Sequence, residues 1–213
     1  MRTVRGMVLS ALVFVTSLAV STPAFAQSTD QGIGVGALGG INITSATGEN
    51  SEGVASGTGW IFGIWFGGNR NGRVGFMGEV NFAEKKIVDE IDSDTYVSNK
   101  VIQIPALARV NIGSKMREGL SVYGLIGPNF DFRLSSKVVL FGEEIPEADL
   151  ENTFSSVDIG IMAGAGVEWN RIGFEFRYSW GLKQLATDEA QEAGVLLPEK
   201  TNQMQFVAKF RFN

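Results

Sequence analysis

Val157-Asp158-Ile159-Gly160-Ile161-Met162-Ala163-Gly164-Ala165-Gly166-Val167-Glu168-Trp169, then Asn170-Arg171, then Ile172-Gly173-Phe174-Glu175-Phe176-Arg177-Tyr178-Ser179-Trp180-Gly181-Leu182, is the stretch whose reading decides the fold. Its odd positions from 157 to 169 are apolar, and its even positions from 172 to 182 are apolar. A two-residue link separates the two runs. Period-two alternation on both sides of a tight turn is the pattern of a β-hairpin with one apolar face. The other face is peculiar. It carries Asp158, Glu168, Glu175 and Arg177 among glycines, with no scatter of solvating lysines.

The same alternation recurs along the chain. Ile33, Val35, Ala37, Ile41 and Ile43 share a face of a first strand; Trp60, Phe62, Ile64 and Phe66 mark a second; Val74, Phe76, Val80 and Phe82 a third. Ile102 to Ile112 gives a fourth, Leu120 to Leu134 a fifth, and Met204 to Phe212 an eighth after the hairpin above. Across strands three to eight the opposite face holds the cations Arg73, Arg109, Arg133, Arg177, Lys209 and Arg211, and the anions Glu79, Asp131, Asp158, Glu168 and Glu175. These charges nearly balance. A soluble sandwich or lipocalin points its apolar face inward and spreads long charged side chains outward. Here an uncharged Phe/Ile/Val/Ala face opposes a face of balanced ions and glycine, which predicts an inverted barrel, apolar toward lipid and polar toward the lumen. In hydrocarbon only a closed barrel leaves no strand edge unpaired. The expected fold is therefore all-β: an eight-stranded antiparallel transmembrane up-and-down β-barrel, with strands of about 10 to 13 residues for a tilted crossing.

The links support this. Gly67 to Gly72, Gly113 to Gly119 and Asn170-Arg171 are short and turn-rich; Thr44 to Ser56, Glu84 to Val97, Ser135 to Thr153 and Lys183 to Thr201 are long, and several are acidic. Short links alternating with long ones place the short turns in the periplasm and the long loops outside. Trp60 and Trp180 then fall near the outer rim and Trp169 near the inner one, where amphipathic rings prefer the interface. At the start of the chain, Arg2 and Arg5 precede an apolar run from Met7 to Val20, and Ala24-Phe25-Ala26 has the small-x-small form of a cleavage site. Residues 1–26 read as an export signal peptide and 27–213 as the barrel domain.

Composition narrows the chemistry. The 213 residues carry a formal net charge of −5, with 27 glycines, 15 phenylalanines, and neither histidine nor cysteine. Imidazole bases, thiolate nucleophiles, His-ligated metals and disulfides are excluded. An acidic chain also does not suit a nucleic-acid partner. Gly34-Val35-Gly36-Ala37-Leu38-Gly39 spells a dinucleotide fingerprint, yet it sits inside a strand with no helix to follow, so its glycines read as strand glycines. Asp89, Glu90, Asp92 and Asp94 lack the spacing of a calcium loop and read as a solvated acidic loop. No cofactor and no metal are expected. The inner charges admit two readings: ion pairs that fill a narrow lumen, as the width of an eight-stranded barrel favours, or the lining of an ion path.

Val101-Ile102-Gln103-Ile104-Pro105-Ala106-Leu107-Ala108-Arg109, Val122-Tyr123-Gly124-Leu125-Ile126-Gly127-Pro128, Asp158-Ile159-Gly160, Gly164-Ala165-Gly166-Val167-Glu168, Gly173 to Leu182, and Gln205 to Phe212 resemble the strand motifs of small outer-membrane β-barrel proteins of the porin-family or PorT-like kind, with a wider likeness to OmpA- and OmpX-type barrels. The resemblance implies an outer-membrane address in a Gram-negative-type envelope, contact with outer-membrane lipid, handling by the barrel-insertion machinery, and loops that meet an extracellular or envelope ligand. Asn213 after Phe212 departs from the aromatic ending usual in such barrels. Membrane enzymes of similar size use histidine, which this chain lacks. The expectation is a non-enzymatic barrel with a structural or loop-mediated binding or adhesion role and a polar, largely plugged lumen; the alternative is a narrow porin-like channel for ions or small solutes.

Overall fold

A computed structural model describes residues 33–48, 51, 53–69, 72–92, 94–112, 120–144, 155–182 and 200–213. The expected signal peptide lies outside the described residues, as do the link from Gly113 to Gly119 and most of the last two long links. Among the described residues nine strands form one sheet: β1 (Gly34–Thr47), β2 (Val54–Gly67), β3 (Val74–Asp89), β4 (Tyr96–Ile112), β5 (Leu120–Leu140), the two-residue β6 (Glu143–Glu144), β7 (Val157–Trp169), β8 (Ile172–Gly181) and β9 (Lys200–Arg211). Neighbours run β4-β3-β2-β1-β9-β8-β7-β5-β6, and β4 pairs with β5. That last pairing closes an eight-stranded barrel, with β6 a short return on the extended end of β5. Every ladder is antiparallel.

The seam joins the first and last strands, from Gly36 opposite Arg211 to Thr47 opposite Lys200. Asn213, the departure noted above, extends it: its side chain accepts from Val35 N at 3.0 Å and donates to the Ile33 carbonyl at 3.2 Å. Phe212 N donates to the Val35 carbonyl at 2.9 Å. A side-chain amide thus continues the ladder for one more step.

Faces fall as the alternation requires. Phe62, Ile64, Phe66, Phe76, Ile126, Phe174, Trp180, Phe206 and Phe210 are exposed, with Phe76 at 78%. So continuous an apolar exterior belongs against lipid. Rings pack along it within and between strands: Trp60 stacks on Phe62 of the same strand, both meet Phe82 of β3, and Phe176 of β8 meets Phe206 of β9. Inside, the large fully buried side chains are Arg109, Arg177, Tyr123, Gln103, Gln205 and Glu79 together with Ile61, Met77, Leu107 and Met162. The buried inward side chains are thus of mixed polarity. The fingerprint glycines lie in β1, as strand glycines.

Strand length differs from the expectation. The strands run from 10 residues in β8 to 21 in β5, with 16 in β3 and 17 in β4. At about 3.3 Å per residue, β5 spans roughly 70 Å along its axis against roughly 33 Å for β8. The second long link therefore shrinks to the segment between Asp89 and Tyr96, and the third begins only after Leu140. The added rungs, Glu84–Lys100 to Val88–Tyr96 and Lys100–Ser135 to Tyr96–Val139, pair as a ladder does. Beyond the lipid the outward face meets water and turns polar at Glu84, Lys86 and Lys100, so the apolar–polar contrast fades while the backbone pairing continues and inward positions such as Ile87 and Val138 stay buried. A β-bulge marks the change: Val101 pairs with Arg133 and Lys100 with Ser135, which leaves Leu134 unpaired and turns Ser136 and Val138 inward.

Both extended hairpins end in tightly held tips. Asp89 Oδ1 accepts from the backbone of Ile91 at 2.9 Å and of Asp92 at 3.0 Å, and Asp92 Oδ2 accepts from Thr95 Oγ1 at 2.9 Å. The acidic residues at this tip are turn-formers. The β5–β6 tip turns through Phe141 (φ 52°) and Gly142 (φ 83°), the left-handed geometry of a tight hairpin. Phe141 N donates to Thr95 Oγ1 at 3.0 Å, which ties the two tips together. Lys137 and Glu144 pair at 2.6 Å across the second tip. This hydrogen bond holds the Lys137 ammonium above its ordinary pKa. Its exposure makes the pair worth little in stability.

Candidate functional site in the barrel lumen

Inward positions recur every second residue on eight strands, so side chains distant in sequence meet across the lumen. At the end bearing the short turns, Arg109 of β4 is 1% exposed and gives Nη1 to Glu168 Oε2 of β7 at 2.8 Å. Its Nε donates to Asn111 Oδ1 and its Nη2 to Ser121 Oγ, both at 3.0 Å. The guanidinium lies 3.7 Å from the centroid of the Tyr123 ring. Arg211 of β9 reaches the other oxygen of Glu168 at 2.9 Å. One carboxylate is held between two arginines.

The next layer is the densest. Arg177 of β8 has no exposed surface and spans the lumen to Glu79 of β3 as a bidentate pair, Nη1 to Oε2 at 2.7 Å and Nη2 to Oε1 at 2.6 Å. Its Nε donates to Glu175 Oε2 at 2.7 Å, and its Nη2 also contacts that oxygen. Planar forks of this kind are the strongest charge-assisted hydrogen bonds that side chains make. Lys209 adds a second cation, 3.1 Å from Glu175 Oε1 and 3.4 Å from Glu79 Oε1, with its ammonium over the Trp65 ring. Tyr123 donates its hydroxyl to Glu175 Oε1 at 2.6 Å, and Asn81 Nδ2 donates to Glu79 Oε2 at 2.9 Å. Glycine makes this possible. A Cβ at position 166 would lie 2.7 Å from the Tyr123 ring and from Glu175 Cγ, and one at 164 would lie 3.1 Å from Arg177 Cγ.

Toward the long-loop end, Lys85 of β3 bridges Asp131 of β5 at 2.5 Å and Asp158 of β7 at 2.9 Å. Asn129 donates to Asp131 Oδ1 at 2.9 Å and Gln203 Nε2 to Asp131 Oδ2 at 3.1 Å. Gln103, Gln203 and Gln205 bond one another between this layer and the one below.

Nine of the eleven residues singled out from the sequence thus lie in three ion-paired layers: Arg109, Arg211 and Glu168; Arg177, Lys209, Glu79 and Glu175; Asp131 and Asp158. Two lie apart. Arg73 is exposed in the turn before β3. Arg133 is half-buried at the outer mouth, where it donates to Ser136 Oγ at 3.0 Å, and Ser136 Oγ in turn donates to Asn99 Oδ1 at 2.6 Å. The sequence does not single out Lys85, because it falls in the segment that reads as the second long link. Its signal was present: Met77, Glu79, Asn81, Ala83 and Lys85 continue one face without a break. With Lys85 counted, these layers hold five cations and five anions. Among the described residues no group of three or more Asp and Glu side chains is arranged to hold a metal ion.

The model of the outer membrane protein beta-barrel domain family matches residues 12–212. The chain belongs to that family. Its apolar exterior therefore faces outer-membrane lipid, and the barrel sits in the outer membrane of a Gram-negative-type envelope. Among curated proteins none matches the chain. Solved structures similar to this outer-membrane barrel include Ail, the attachment invasion locus protein of Yersinia pestis, at 18% identity over 85% of this chain and 99% of that one, with a TM-score of 0.45. Neisserial surface protein A is 15% identical over 85% and 97%, at 0.47, and OprG from Pseudomonas aeruginosa 12% identical over 84% and 93%, at 0.42. A further structure of Ail holds the heparin analogue sucrose octasulfate.

Proposed function

We propose that this outer-membrane barrel is a closed anchor whose lumen is plugged by its ion pairs and whose outward hairpins bind a partner outside the cell. The observation that carries the reading is the pair of tied tips on β3–β4 and β5–β6. They present Ile91 at 95% exposure and Phe141 at 84%, beside Glu90, Asp94, Glu143 and Glu144. A phenylalanine held at positive φ is strained, and such strain concentrates where a surface is used. Hydrogen bonds accepted by Asp89, Asp92 and Thr95 fix both tips before any encounter, which lowers the ordering cost of binding. The absence of histidine and cysteine from the sequence supports a non-enzymatic role. Residues 1–26 belong to the same proposal as a cleaved export signal, and N-terminal sequencing of the membrane-borne protein is expected to begin at Gln27.

The test is adhesion of cells that display the barrel. Ile91→Asp with Phe141→Asp is expected to abolish attachment to an otherwise bound surface while the amount of folded barrel in the outer membrane stays the same. Undiminished attachment by the double variant would sink the reading.

A further inference from the structure

On the outside of the barrel, charge is sorted by height. The outward positions from Val74 to Phe82 on β3, from Ile102 to Ile112 on β4 and from Leu120 to Leu134 on β5 carry no ionised group. Among the described residues the outward strand faces carry ions only at the long-loop end: Glu84 and Lys86 on β3, Lys100 on β4, Lys137 on β5 and Glu144 on β6, with Lys200 apart from them on β9. Strand register stacks the main group directly on the lipid face. Phe82, Ile102 and Phe132 form its last apolar rung; Glu84, Lys100 and Ser135 form the next; Lys86, Ser98 and Lys137 the one after. Two residues along a strand tilted by about 40° rise roughly 5 Å, so the two rungs stand roughly 5 and 10 Å above the rings. Headgroups occupy that height, since they add about 5–8 Å to each side of the hydrocarbon.

Ser98 lies at the centre of this group, flanked on its rung by Lys86 and Lys137 and followed two residues on by Lys100. It points outward yet is only 5% exposed, and its hydroxyl donates to Glu84 Oε1 at 2.6 Å. The Lys86 ammonium stands 4.1 Å from the centroid of the Tyr96 ring. Lys100 is exposed and forms no ion pair with a described residue. Lys137 has the exposed Glu144 as its partner. Three ammonium groups against the carboxylates of Glu84 and Glu144 leave the group one charge positive. Farther from the lipid the sign reverses, because Asp89, Glu90, Asp92, Asp94 and Glu143 gather at the tips with no lysine or arginine among them.

Apolar rings, then lysines, then carboxylates match what a membrane surface presents to a wall that rises through it: acyl chains, then anionic headgroups, then water. We infer that the outward face of β3–β5 around Ser98 docks a phosphate-bearing headgroup of an outer-leaflet lipid, with Lys86, Lys100 and Lys137 as its cationic contacts. Lysine ammonium groups bind phosphate as mobile point charges, and basic clusters at a membrane surface recognise anionic lipid in this way. The occupant is a lipid because the patch continues the lipid face without a break, so a molecule whose chains lie on Phe82 and Phe132 carries its headgroup to the lysines. The acidic tips are repelled by the same headgroups, which keeps the extended hairpins upright.

Native mass spectrometry of the full barrel in detergent tests this, with diphosphoryl lipid A and the same lipid stripped of its phosphates as probes. The barrel is expected to retain the phosphorylated lipid about tenfold better. Lys86→Gln with Lys100→Gln and Lys137→Gln is expected to abolish that preference, and Lys86→Arg with Lys100→Arg and Lys137→Arg to keep it. All three side chains lie outside the lumen, so the compact, heat-modifiable band is expected to stay as it is. Retention that ignores the phosphates overturns the inference, and so does a preference undiminished in the glutamine variant. Displacement of the lipid by inorganic phosphate at equal concentration overturns it as well, since the ligand would then be a soluble anion. Where the glutamine variant does not fold, salt replaces it: a preference of the unaltered barrel that is insensitive to sodium chloride contradicts recognition by exposed lysines.

Discussion

Arg177 holds two carboxylates in a lumen that gives it no exposed surface, so its removal strands Glu79 and Glu175 rather than simply deleting a contact. Breaking a buried pair by removing one partner costs about 3–5 kcal/mol. Arg177→Ala is expected to lower the urea unfolding midpoint in lipid vesicles accordingly, followed by the fluorescence of the tryptophans; an unchanged midpoint would count against paired burial. Tyr123→Phe removes the hydroxyl that donates to Glu175 and is expected to cost about 1–3 kcal/mol in the same measurement, since it leaves a charged acceptor short of a donor. The identities of most lumen ions were legible in the sequence because alternation assigns each residue to a face. Their partners were not. Glu79 and Arg177 stand 98 residues apart, and only the stagger of strands around a closed barrel says which inward positions share a height.

Single strands show where legibility ends. Eight strands are readable because lipid on one face and packed ions on the other give each one a sharp contrast. Beyond Glu84 that contrast is gone, so the upper parts of β3, β4 and β5 read as loops although their ladders continue. The same reasoning hid Lys85. Two consequences belong to this scale. Gly164 on β7 faces the Phe176 carbonyl and Arg177 Cγ, where a side chain has no room. Gly164→Val is expected to cost at least the roughly 1–3 kcal/mol of overpacking and to remove the compact, heat-modifiable band from gels. At the other extreme, Phe141 at φ 52° gains nothing for its hairpin from a bulky side chain. Phe141→Gly is expected to relieve about 1 kcal/mol of backbone strain. It should leave the barrel's unfolding midpoint unchanged or slightly raised while attachment falls; a fall in the midpoint would mean that the ring supports the fold rather than a partner.

For the whole molecule, the excess of glycine and phenylalanine in a chain with few charges follows from one arrangement. Phenylalanines cover the lipid face, glycines such as Gly164 and Gly166 leave space for long inward side chains, and ions gather where water is scarce. The closure of β1 on β9 was implied by eight strands with alternating short and long links, since an open edge is not tolerated in hydrocarbon. The seam register and the extended hairpins depend on rotation and stagger, which alternation does not encode. The central claim is that ion pairs close this lumen, and planar-bilayer recording tests it most directly. Purified barrel inserted from detergent is predicted to give no steady unitary conductance at any tested voltage. Steady channels at high frequency would contradict the account.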